Sequence, residues 1–419
     1  MTFSAYFRIA AQLVVFFILA RFLGAEQFGQ FSYWFSAASL VSIPINYGFG
    51  TQLLREVAKT PENLQSMLTS MLFTKMLLTL TVFSLSVLFW VIAVDSALFI
   101  ILLIVAIAES YVDFYNYVLR CRGLYEQEAR LILVISLIQL PIVACTALLT
   151  MNAIFVAVAY LFSRAIALVL TRRVVCQYLP EKNTKIGLSL MTVREAMRSG
   201  FPYAADIGVT TFNSAIDVVL LKQMADLHSV GIYQAGMRLM LGATTPATVA
   251  VNVYLPRISS LNSTSVEYSQ AIISLNMKMV VVGGAFSLIF ALFGELITSV
   301  LFGSEYQALS KALPLFALLL VLRYVAAALG INLTASGYQS VRVVANLIYC
   351  VVFVVVSLFL VPVYKVLGLV VASICSVLAL IIIYYIYVVV KKLPAGFNIF
   401  NSLIFASIII FITYFIMTV

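Results

Sequence analysis

Ionisable side chains are scarce in this chain, and several recur at helical spacing. Glu109, Asp113, Asn116 and Arg120 follow one another at steps of four, three and four, and Asp206, Thr210, Asn213 and Asp217 repeat those steps. Residues so spaced share one face of an α-helix. Gln234, Arg238, Thr245, Thr248 and Asn252 make a looser polar face, Arg8 and Gln12 another, and Arg164 and Arg323 are cations set in apolar runs. In an apolar solvent such stripes have two uses. They wet a passage for a polar cargo, or they join neighbouring helices by hydrogen bonds and ion pairs. Lys75, Asp95, Lys278 and Glu295 lie closer to the ends of apolar runs, where snorkelling to an interface is the expectation.

The elements that carry these residues follow from composition. Of 419 residues 63% are hydrophobic and 10% charged, and the mean hydropathy is +1.11, whereas soluble domains are about 25% charged. So few charges cannot cover a water-soluble surface, and apolar runs of roughly the 20 residues that cross a bilayer recur from end to end. Thirteen such runs are expected, the second over 31 to 53 and the last over 398 to 418. The first has no small-residue cleavage site and reads as a retained helix rather than a signal peptide. With the amino terminus in the cytoplasm, fifteen lysines and arginines fall in cytoplasmic loops and four, Arg21, Lys222, Lys311 and Lys365, in the opposite ones, as the positive-inside rule requires.

The longest loop divides the chain near its middle, and the halves echo each other. Gly29 after the first helix answers Gly231 after the seventh, and Arg122-Gly123-Leu124-Tyr125 answers Ser336-Gly337-Tyr338. The expected fold is an all-α polytopic membrane protein with two pseudo-symmetric six-helix lobes: 1–171, a cytoplasmic linker 172–199, and 200–390. Residues 391–419 would add a helix to the twelve core spans. Pro44, Pro202, Pro246, Pro314 and Pro362 fall at or inside apolar runs, where a missing donor bends or breaks a helix.

Several function classes are excluded. The charge of +9 lies in short clusters between apolar runs rather than on one basic surface, so nucleic acid is no partner. Five cysteines without CxxC spacing and one histidine, His228, supply no metal site. No nucleophile with its base, DxD pair or phosphate-binding glycine loop occurs, so a membrane enzyme such as an O-antigen polymerase or glycosyltransferase is disfavoured. No cofactor is expected. Tyr111, Phe114, Tyr115 and Tyr117 beside Asp113 and Asn116 are either sugar-stacking rings or interface tyrosines.

Leu19-Ala20-Arg21-Phe22-Leu23-Gly24-Ala25-Glu26-Gln27-Phe28-Gly29 resembles the junction after the first helix of Wzx-type O-antigen flippases, in the multidrug/oligosaccharidyl-lipid/polysaccharide (MOP) exporter superfamily. Ser199-Gly200-Phe201-Pro202 with Asp217, Val230-Gly231-Ile232-Tyr233 with Arg238, Leu301-Phe302-Gly303-Ser304-Glu305-Tyr306 and Val361-Pro362-Val363-Tyr364 with Gly368 extend the resemblance in the family's order. Before Arg21 the chain is shorter than is usual for the family, which implies a short first helix. The resemblance implies a two-lobed bundle in the bacterial inner membrane. Its cargo would be undecaprenyl-pyrophosphate-linked oligosaccharide, turned from the cytoplasmic to the periplasmic leaflet by alternating access. Partners would be the lipid bilayer, a polysaccharide polymerase and a chain-length regulator. It also places Arg238 where related lipid II flippases keep a cavity arginine. Arg238, supported by Arg8, Arg164 and Arg323, is the expected pyrophosphate contact, and Asp206, Asp217, Glu109, Asp113, Asn116 and Asn213 complete the expected cavity. A multidrug antiporter of the same superfamily is the alternative.

Overall fold

The structure, a computed structural model, describes residues 2–59, 64–93, 96–178, 190–261 and 265–394, and all regular elements among them are helical. In chain order these are α1 (Thr2–Val41), α2 (Ile43–Asn46), α3 (Phe49–Lys59), α4 (Leu64–Ala93), α5 (Ala97–Cys121), α6 (Tyr125–Thr150), α7 (Ala153–Tyr178), α8 (Leu190–Met224), α9 (Leu227–Ser259), α10 (Val266–Leu292), α11 (Gly294–Leu301), α12 (Gln307–Ala335) and α13 (Gln339–Val390). Nine of the described helices are long and apolar enough to span a bilayer. Two of them, α1 and α13, are interrupted, at Gly24 (φ 74°, ψ 170°) and Lys365 (φ 46°, ψ −118°). Each therefore holds two crossings. With α9, 33 residues long but more polar, the described helices supply the twelve core spans of a multi-pass membrane protein. The thirteenth apolar run lies outside the described residues.

The second span departs from its expected range. It stops at Val41 rather than running to residue 53, because Pro44 and two left-handed residues, Tyr47 (φ 39°) and Gly48 (φ 71°), break the helix. A Cβ on Gly48 would collide with Tyr203, so glycine alone meets both the torsion and the space there. Beyond the break α3 is amphipathic. Phe49, Leu53 and Val57, one face at steps of four, pack with Leu64, Leu68 and Met71 of α4, Phe114 and Val118 of α5, Leu131 of α6 and Val175 of α7.

The chain forms two compact units, 1–222 and 223–419. In unit 1, α5 is the central helix, packing on α1, α3, α6 and α7; in unit 2, α12 packs on α9, α10, α11 and α13. The seventh span, α8, packs with unit 1, which ends at Lys222, and helix flanks both ends of the 172–199 segment: α7 runs to Tyr178 and α8 begins at Leu190.

The internal repeat is physical as well as textual. After α5, Gly123 (φ 70°) donates to the Arg120 carbonyl and Leu124 to that of Leu119; after α12, Gly337 (φ 84°) donates to Thr334 and Tyr338 to Leu333. These are the same two bonds of a Schellman turn, which needs a left-handed residue at that place. Met151 (φ 48°) between α6 and α7 likewise matches Lys365 (φ 46°) within α13. At the head of unit 2, Asp226 caps α9, its Oδ1 accepting from the Ser229 amide at 2.7 Å, while Lys365 Nζ donates to its Oδ2 at 2.8 Å. Partial burial pushes the Asp226 carboxyl up, but the bonds from Lys365 and Ser229 outweigh it and hold the group down at about 2.

Candidate functional site

Steps of four and three along α5 place Glu109, Asp113 and Asn116 on one face, and that face opens on a partly open cavity within unit 1. Ala11, Gln12 and Val15 of α1, Ser136 and Gln139 of α6 and Arg164 of α7 close it. Arg164 holds three contacts there. Its Nη2 donates to the Tyr160 hydroxyl at 3.0 Å, lies 3.6 Å from Glu109 Oε1, and its guanidinium carbon is 5.1 Å from the Tyr160 ring centroid. The Arg164 and Glu109 side chains keep 13% and 33% of their exposure. The pair is thus sheltered, but it is longer than a hydrogen bond. Arg164 Nε and Asn116 Oδ1 are buried without a partner among the described residues. Polar capacity is left over in this cavity, as an incoming polar group requires.

Arg120, the last residue of the sequence stripe, does not join them. Its Nε and Nη2 clamp both oxygens of Glu128 at 2.6 to 3.1 Å, and it lies 4.8 Å over the Tyr117 ring. That fork-to-fork pair is structural, fixing the turn between α5 and α6.

A second partly open cavity meets α5 nearby; Asp113 lines both. Asn46, Thr51, Lys75, Ser110 and Tyr117 supply its other side-chain hydrogen-bonding groups. Lys75 was expected to snorkel, yet it is 1% exposed and turned inward. Its ammonium donates to the Ile45 carbonyl at 3.0 Å and to Ser110 Oγ, and Ser110 donates to Asn46 Oδ1 at 2.6 Å. Lys75 starts the fourth turn of α4, too deep for its stem to reach either end. The sequence signal was slight: Thr74 and Thr79 beside it, the latter hydrogen-bonded to Tyr111. Three of the four aromatic rings have contacts within the fold. Tyr111 and Phe114 lie 5.1 and 5.9 Å from the Lys75 ammonium, and the Tyr117 ring lies against Gly50 and under Arg120.

Arg238, Arg323, Asp206, Asn213 and Asp217 line neither of these two cavities. Arg238 on α9 and Arg323 on α12 are half-buried in unit 2. On α8, Asp206 is exposed, Asn213 half-buried and Asp217 buried, its Oδ1 accepting from the Val218 amide at 2.8 Å. The side chains of Arg8 and Asn252, and Asp95 as a whole, lie outside the described residues. Among the described residues no three His, Cys, Asp or Glu side chains gather as a metal site. The structure thus brings Gln12, Glu109, Asp113, Asn116 and Arg164 together and adds Lys75. Two carboxylates on α5 thus face two cations, Arg164 of α7 and Lys75 of α4.

Comparison with known proteins gives a family and a fold. The sequence profile of the family described as polysaccharide biosynthesis protein matches residues 1–262. The lipid II flippase MurJ, in an inward closed conformation, is similar over 99% of this chain and 92% of its own, with a TM-score of 0.76 at 14% identity. An inward-facing multidrug resistance MATE family transporter of the MOP superfamily follows over 92% of this chain and 95% of its own, TM-score 0.67, 13% identity. The Vibrio cholerae MATE transporter VcmN matches over 95% and 97%, TM-score 0.60, 15% identity. No curated protein matches the chain by sequence. The fold is similar to that of the lipid II flippase and of these MATE transporters.

Proposed function

The chain belongs to the polysaccharide biosynthesis protein family, and from that premise we propose that it is a Wzx-type flippase. It moves undecaprenyl-pyrophosphate-linked oligosaccharide, an O-antigen or related unit, from the cytoplasmic to the periplasmic leaflet of the bacterial inner membrane. The observation that carries the reading is the cavity of unit 1: an arginine with unused hydrogen-bonding capacity, enclosed by apolar helices, in a chain of this family.

Arginine suits a pyrophosphate because its planar fork binds phosphate oxygens in pairs and keeps its charge. Arg164 is held by Glu109 at a distance that a competing anion can exploit. The resemblance supports Arg238, with Arg8 and Arg323, as further anion contacts elsewhere on the cargo's path, and Asp206, Asn213 and Asp217 as part of the wet path for the sugar. Lobes 1–171 and 200–390, joined by 172–199, alternate access between the leaflets, and 391–419 adds a helix outside that core. The fifteen-to-four bias of basic residues supports a cytoplasmic amino terminus. Outward movement of an anion is then downhill by about 2.3 kcal/mol per charge per 100 mV, so membrane potential can drive the cycle. A multidrug antiporter for cationic compounds is less well supported, since the charges lining the two unit 1 cavities are Glu109 and Asp113 against Lys75 and Arg164.

The test is the lipid-linked intermediate that accumulates when the gene is deleted, with its leaflet assigned. A complete repeat unit facing the cytoplasm is expected; an unpolymerised unit facing outward, or a drug-sensitive strain with normal polysaccharide, refutes the reading. Arg238→Ala and Arg238→Lys, compared at equal protein level in the membrane, then decide that residue's part: if Ala supports wild-type surface polysaccharide, Arg238 does not hold cargo.

A further inference from the structure

Lys75 is a buried cation at the second cavity of unit 1, and its hydrogen bonds go to the break in the second span. It donates to the carbonyl of Ile45, and Ser110, which it also contacts, donates to the side chain of Asn46. The C-terminal end of a helix leaves carbonyls unpaired and carries partial negative charge, so an ammonium placed there pins the end. One turn further on, the same segment reaches across to α8. The Tyr47 hydroxyl donates to the Met197 carbonyl at 3.2 Å, Gln52 Nε2 to Ser199 Oγ at 2.9 Å, and Arg55 Nη1 to the Tyr203 hydroxyl at 2.9 Å.

The two sides of this contact are held very differently. On one side the apolar face of α3 is sunk in the core of unit 1. On the other, α8 has Phe201, Pro202, Asp206, Val209 and Thr210 exposed, and its buried apolar side chains among those described, Ala215, Val218 and Leu221, come in its last turns. Close-packed apolar contacts resist displacement, whereas a hydrogen bond with an exposed member, as Ser199 and Arg55 are here, exchanges for water at little net cost, and the buried Gln52 keeps its Oε1 without a partner among the described residues. We propose that these three bonds are a clasp that opens and closes during transport, and that Lys75 is a positioning residue which sets its fixed jaw by pinning the broken end of the second span. The clasp rests on the transport reading above; the role of Lys75 within it does not need the cargo to be known.

The test uses the full chain in native membranes, with the five cysteines replaced by serine and the pair Gln52→Cys and Ser199→Cys introduced. Copper phenanthroline is expected to join the pair, to lower surface polysaccharide export at least tenfold, and to be reversed by reductant. In the same background Lys75→Met and Ser110→Ala are expected to slow cross-linking at least threefold at equal protein level, while Lys75→Arg, which keeps the charge, stays nearer the parent. Cross-linked protein that exports normally overturns the clasp, as does a pair that never cross-links. Lys75→Met cross-linking as fast as the parent overturns the positioning role. If polysaccharide export proves independent of this protein, the flippase reading fails while the cross-linking rates still decide Lys75.

Discussion

α5 and α12 end in the same Schellman turn, and each is the helix on which the rest of its unit packs. Glu109 stands fourteen residues before Gly123 and Arg323 fourteen before Gly337, so an acid in one repeat occupies the register of a base in the other. Their polar groups are also spent differently. On α12, Asn332 is 1% exposed, accepts from the Tyr268 hydroxyl at 2.8 Å and donates to the Pro394 carbonyl at 3.0 Å, and the Tyr324 hydroxyl donates to the Ala243 carbonyl at 2.7 Å. Those bonds close the helix against its neighbours. On α5, Glu109, Asp113 and Asn116 face open volume, and Asn116 Oδ1 has no partner among the described residues. The repeat has kept the backbone solution and let the chemistry diverge, so function is to be sought where polar groups are left over rather than where they are merely buried.

The contrast can be broken first at the lysines. Lys75→Met leaves two buried acceptors without their donor and is expected to cost about 3 kcal/mol. Lys278 is exposed in unit 2, donating to the Tyr254 hydroxyl at 2.5 Å, so Lys278→Met should change thermal stability in detergent by no more than about 0.5 kcal/mol. Equal losses would show that Lys75 is not held as its contacts indicate. The shared turn offers a sharper comparison. Gly123→Ala and Gly337→Ala each force a Cβ into a left-handed residue with open space around it, so each should cost about 1 to 2 kcal/mol, and the two should agree. A large difference would mean the two turns are not equivalent. The smallest effect belongs to the Asp226 and Lys365 pair, which is about half exposed. Its carboxyl lies below the ordinary carboxylate value, so its stabilisation is full at neutral pH and is lost as pH falls from about 4 toward 2. Asp226→Asn should remove that pH dependence and cost less than about 1 kcal/mol at neutral pH; an unchanged acid limb would contradict it.

Much of this was legible in the sequence, for physical reasons. Apolar runs of bilayer length announce spans whatever their packing, and turn glycines announce the repeat because few other residues adopt their torsions. The α5 stripe was legible because helical periodicity alone puts Glu109, Asp113 and Asn116 on one face. Arg164 joins it from α7 through tertiary packing, which no spacing encodes. Lys75 was misjudged because distance from a helix end is a poor guide when the end itself is uncertain. Arg120 looked like part of the stripe, but its fate was settled by Glu128, eight residues on around a turn.

Binding of undecaprenyl pyrophosphate to the purified protein, compared for Arg164→Ala and Arg323→Ala, tests the central claim most directly. A charged hydrogen-bond donor of this kind contributes about 1.5 to 3 kcal/mol, so loss of Arg164 should weaken binding roughly ten- to hundredfold and loss of Arg323 clearly less. Wild-type affinity in Arg164→Ala, or a larger loss in Arg323→Ala, would contradict the assignment of the anion site to unit 1.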